Sequence, residues 1–131
     1  MMVHRFLHTR YRVSNLEKAV SYFVNVLGLQ EVGRITSPRG SKLVFLKAPE
    51  SQELLELCEY PGSGNVVVPP DLTHLAFSVP DLKEARIRCD KMGWPFTDEI
   101  QQAENGQYFT FIDAPDGYEI ELIEEKKDNP S

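Results

Sequence analysis

The chain has 131 residues, 41% hydrophobic and 26% charged, the size and composition of one soluble globular domain or of two small modules sharing a core. A net charge of −6 with a pI near 5.0 argues against nucleic acid or an anionic membrane surface as partner. Cys58 and Cys89 are too few for a disulfide scaffold, and with neither a leader-like segment nor a long apolar span the expected location is the reducing cytoplasm.

Residues 6–13 alternate as a strand does. A helix is expected next, opened by Ser14 and Glu17 at capping-box spacing, carrying Leu16, Ala19, Val20, Phe23, Val24 and Leu27 at helical intervals and stopped by Gly28. Strands follow over 30–36, 42–47 and 53–60, parted by turns at Pro38–Gly40 and Ala48–Glu50. Residues 61–71, rich in Gly, Ser, Asn and Pro, read as a linker. The same order then recurs: a strand over 72–79, a helix over 81–92 opened by Asp81 and Glu84 and stopped by Gly93, and strands over 96–101, 107–113 and 118–124. The expected fold class is therefore α+β: one domain over residues 1–127 made of two tandem β-α-β-β-β modules, about 5–60 and about 72–125, with a curved mixed sheet around a concave site. Residues 128–131 form a polar tail.

The modules match in residues as well as in order. His8, Val13, Leu16 and Ala19 lie over His74, Val79, Leu82 and Ala85, 66 residues on and without a gap. Phe45, Ala48 and Pro49 lie over Phe111, Ala114 and Pro115; the next turn is one residue shorter in the second copy, so Leu55-Glu56-Leu57 falls on Ile120-Glu121-Leu122, 65 residues on. Co-linear matching over most of both halves is the signature of an internal duplication.

A single strand histidine is more often a hydrogen-bonded structural residue than a ligand, and a single strand glutamate is usually a solvated face. Here His8, Glu56, His74 and Glu121 recur in type and position across the repeat. Strand alternation also puts all four on the face opposite the apolar set of Leu7, Tyr11, Val13, Leu55, Leu57, Leu75, Phe77, Val79, Ile120 and Leu122. Two imidazoles and two carboxylates suit a divalent first-row cation and balance its charge. Arg10 and Arg12 share the face of His8. Arg10 reads equally well as an ordinary surface residue, whereas Arg12 is the better candidate for a substrate carboxylate. Cys58 reads as a buried inert thiol, Cys89 as core, His4 as an exposed terminal residue, and Asp113 and Asp116 as structural turn residues.

The paired modules and the quartet resemble the vicinal-oxygen-chelate superfamily, and within it the glyoxalase I (lactoylglutathione lyase) family of the short bacterial type. The segments that carry the likeness are Leu7-His8-Thr9 with Arg12-Val13, Tyr22-Phe23 leading to Val26-Leu27-Gly28-Leu29, Leu55-Glu56-Leu57, His74 to Val79, and Asp116 to Lys126. The resemblance implies one divalent metal per site, held by His8, Glu56, His74 and Glu121. A histidine at the first ligand position is similar to members that favour Ni2+ or Co2+, with Zn2+ the alternative. It further implies a homodimer with sites at the interface, each subunit supplying two ligands. The implied reaction converts the methylglyoxal–glutathione hemithioacetal to S-lactoylglutathione through an enediolate, with Glu121 as general base, Glu56 as its partner and Arg12 at the glutathione end. Two positions depart from the pattern: Tyr60 stands where many members carry a glutathione-holding asparagine, which makes it a substrate-binding candidate, and Pro70 stands where some carry an arginine. Within the same superfamily the alternatives are a metal-dependent epimerase or dioxygenase, and outside enzymes a small-molecule-binding resistance protein.

Overall fold

Eight strands and two helices make up the computed structural model, which describes residues 1–62 and 64–126. In the first module β1 (His8–Arg12) leads into α1 (Leu16–Ser21), whose last turn widens into a π-helical stretch at Tyr22–Val26. β2 (Gln30–Thr36), β3 (Lys42–Lys47) and β4 (Leu54–Glu59) follow. The second module repeats this with β5 (His74–Val79), α2 (Leu82–Lys91), the two-residue β6 (Gln101–Gln102), β7 (Tyr108–Asp113) and β8 (Glu119–Glu124). The expected tandem β-α-β-β-β architecture is present, each copy as its own four-stranded mixed sheet. The chain divides after Val67 into two compact units. The tail expected over 128–131 lies outside the described residues.

Strand order is β1-β4-β3-β2 in one sheet and β5-β8-β7-β6 in the other. The first strand of each module therefore lies parallel to its last, and the long connection such a pairing needs runs through the helix and the two intervening strands. In the first unit α1 packs on β4 and β3, closing a core in which Val44, Leu46 and Leu57 are wholly buried and Phe23 nearly so. Each such side chain contributes about 1.5–3 kcal/mol of burial free energy. In the second unit α2 packs on β8, and Leu82 and Cys89 of the helix are buried, as are Ile112, Ile120 and Leu122 of the sheet.

Both helices are pinned at their start by the same pair of devices. An Asx side chain caps each: Asn15 accepts from the Lys18 N–H, and Asp81 from those of Lys83 and Glu84. A carboxylate at the end of the last strand then accepts the first helical N–H, Glu59 from Leu16 and Glu124 from Leu82, each at 2.9 Å. The cap of α1 was expected at Ser14. That hydroxyl instead accepts from the Val66 N–H at 2.7 Å, which leaves the cap to Asn15.

The helices end at Gly28 and Gly93, which are 65 residues apart although Leu16 and Leu82 are 66 apart. The first helix thus holds one residue more. The π stretch absorbs it through the wide Leu27 N–H to Tyr22 carbonyl bond, so that β2 and β3 take the bounds their sequence predicts.

One expected strand is largely missing. Of residues 96–101 only an isolated bridge from Phe96 to Ile112 and the short β6 remain. The buried Thr110 hydroxyl donates to the Asp98 carbonyl at 2.9 Å, occupying an acceptor that a regular ladder would have paired.

Candidate metal centre

In the first unit the parallel pairing sets Arg10 beside Glu56 and His8 beside Leu54, two residues earlier on the same face. His8 Nε2 lies 3.5 Å from Glu56 Oε2. Phe45, paired with Glu56 on the opposite strand, meets the His8 ring edge-on with centroids 6.2 Å apart. The glutamate is 3% exposed while the His8 side chain is 44% exposed, so the pair runs from the interior to the surface. Expected to line a concave surface, Glu56 is instead buried, as is Cys58 on the same face of β4. Its other oxygen, Oε1, accepts a hydrogen bond from Arg10 Nε, and that bond holds the guanidinium pKa above its ordinary value.

The second unit repeats the arrangement with other neighbours, Glu119 standing beside His74 where Leu54 stands beside His8. His74 Nε2 lies 3.3 Å from Glu121 Oε1, and Phe111, paired with Glu121, meets the His74 ring edge-on at 5.5 Å. The register is the same, His74 being paired two residues before Glu121. Beside Glu121, however, stands Ala76, which has no side-chain donor, and the Glu121 side chain is 20% exposed against 4% for Glu56.

Each pair suits adjacent ligands of a metal. Nitrogen and oxygen donors about 2.1 Å from a first-row ion and at right angles around it sit about 3 Å apart, which separations of 3.5 and 3.3 Å reach with a small closure. The four expected ligands stand as two pairs, one in each unit. Among the described residues no three His, Cys, Asp or Glu side chains form a single metal-binding group.

Residues 5–122 match the Glyoxalase/Bleomycin resistance protein/Dioxygenase superfamily. The chain belongs to that superfamily. It is 33% identical to the lactoylglutathione lyase of Salmonella typhimurium over 126 residues, 93% of each chain, and 32% identical to that of Neisseria meningitidis serogroup A over 131 residues, 97% of this chain and 95% of the relative. Among solved structures, the trypanothione-dependent glyoxalase I of Leishmania major superposes with a TM-score of 0.78 at 31% identity, covering 94% of this chain and 88% of its own.

Around the pairs of this glyoxalase-superfamily chain, Arg12 is exposed on the His8 face of β1, and Tyr60, 42% exposed, directly follows β4. Cys89 is buried, and that burial pushes its thiol pKa up. Asp116 holds a left-handed turn at φ 69°, with its carbonyl accepting from the Val68 N–H. His4 is exposed. The bond from Arg10 to Glu56 is the feature sequence reasoning missed. Its signal was the shared face of His8 and Arg10, which becomes a contact only once the register of β1 against β4 is known. Likewise Phe45 and Phe111 were legible as repeat positions but not as walls against the two imidazoles.

Proposed function

We propose that this protein is a metal-dependent glyoxalase I-like lyase that converts the methylglyoxal–glutathione hemithioacetal to S-lactoylglutathione. The observation that carries the reading is the His–Glu pair built twice in the same register, in a chain alike over nearly its whole length to lactoylglutathione lyases. His8, Glu56, His74 and Glu121 would hold the metal, Ni2+ or Co2+ ahead of Zn2+, in a cytoplasmic homodimer whose sites are completed between subunits. When bound, the metal supplies positive charge where negative charge develops on the substrate oxygens. Glu121 takes the proton from the sulfur-bearing carbon and returns it to the neighbouring carbonyl carbon, which needs a carboxylate able to move. Its partial exposure and its alanine neighbour leave it that freedom. Arg12 and Tyr60 face the thiol end of the substrate. That one relative depends on trypanothione supports a thiol portion that varies on this fold, in keeping with Tyr60 in place of the family's asparagine.

Metal-stripped protein reloaded separately with nickel, cobalt and zinc tests this directly. The expected result is metal-dependent formation of lactoylglutathione, fastest with nickel or cobalt, by a species that scatters light at twice the 14.9 kDa chain mass. Stoichiometric metal without turnover would move the substrate to another thiol adduct or an enolisable acid.

A further inference from the structure

The two pairs differ at the position beside the glutamate, where Arg10 stands in one and Ala76 in the other. Glu56 has its carboxylate divided between two partners, with Oε1 taken by Arg10 Nε and Oε2 turned toward His8 Nε2 at 3.5 Å. At the same register position in the second unit, Ala76 can offer Glu121 nothing. We infer that Arg10 is a positioning residue for Glu56: by holding Oε1 it fixes the carboxylate so that a single oxygen, Oε2, is presented beside His8 to the cation. The inference rests on the metal reading given above.

Three features support it. The bond comes from Nε, the guanidinium nitrogen nearest the stem, so Arg10 reaches Glu56 across the β1–β4 pairing while its side chain stays half-exposed. Glu56 is almost wholly buried, where an undirected carboxylate oxygen would be left without a partner at a cost. Ligating carboxylates generally depend on an outer hydrogen bond to fix the oxygen they present, and loss of such a partner typically weakens metal affinity about 10–100-fold. The pair His8–Glu56 is thereby a rigid half and His74–Glu121 a looser one, which matches the division between a carboxylate that stays and one that leaves to carry a proton.

Nickel affinity, measured by competition with a colorimetric chelator, tests this without reference to turnover. Arg10→Met, which fills similar space with no donor, is expected to bind nickel about tenfold or more weakly. Arg10→Lys, whose ammonium can still donate to Oε1, is expected to recover most of that loss, a rescue that a packing role alone would not give. Equal or tighter binding by Arg10→Met overturns the inference, since Arg10 would then be a bystander or a competitor of the cation. Equal losses in both variants overturn it as well, because the bond to Oε1 would not be the cause. Failure of the native protein to bind nickel, cobalt or zinc removes the metal reading itself, and this one with it, before any variant is compared.

Discussion

Glu121 and His74 occupy the same half of the proposed centre, yet their losses should differ in kind. Glu121→Gln keeps the shape of the side chain and removes its basicity, so turnover should fall by about 10²–10⁴-fold while the melting curve stays close to that of the native protein. Turnover that survives the change would remove Glu121 as the base. His74→Ala removes a donor outright, and a chelator titration should show nickel affinity falling by more than the roughly 10–100-fold expected for a supporting partner. These residues were legible in the sequence because repetition singled them out: His8 and Glu56 alone are an unremarkable pair, and their recurrence at His74 and Glu121 is what raised them. Arg10 was not legible, because it has no counterpart in the second copy, where Ala76 stands.

At the scale of elements, the turn after β7 sets a sharp constraint. Gly117 has φ 89°, and a Cβ added there would come within 2.6 Å of the Val68 carbonyl oxygen, whose own N–H is bonded to Asp116. Gly117→Ala meets a disfavoured backbone conformation and a backbone atom that cannot swing aside. It is expected to cost about 2–3 kcal/mol, read as a lowered midpoint in urea with an unchanged slope. The sequence marked Asp116 as a turn residue but carried no sign of what packs against the turn. Local signals also placed β2 and β3 at their observed bounds, since alternation and flanking turns decide a strand's existence. They overstated the strand at 96–101, where the Thr110 hydroxyl captures a carbonyl from across the unit. They likewise assigned the first helix cap to Ser14, because the competing Val66 N–H lies 52 residues away in sequence.

At the scale of the whole molecule, net acidity makes the few organised cations matter. Arg34 joins β2 to α1 by pairing with Glu31 and Glu17, and its hydrogen bonds hold both carboxyls below their usual range. Folding lowers these pKa values, so the stabilisation is present above the ordinary carboxylate range of about pH 4–5 and is lost as pH falls through the lowered values. Arg34→Met should therefore melt slightly earlier than the native protein at pH 7. The difference should shrink in high salt, because all three groups are largely solvated, and close once the pH has fallen through the lowered carboxyl values. A gap that persists in acid would point to lost packing instead. The parallel pairing of β1 with β4, and of β5 with β8, carries a kinetic consequence. Each His–Glu pair joins the first strand of its module to the last, across a helix and two intervening strands. Such a contact closes the longest loop in the module and is entropically among the last to be rewarded during folding. A chain emerging from synthesis therefore holds neither pair until the whole module has been made and threaded. On the proposed metal reading, capture would then report a finished fold, and metal added to a folding reaction should slow unfolding far more than it speeds folding.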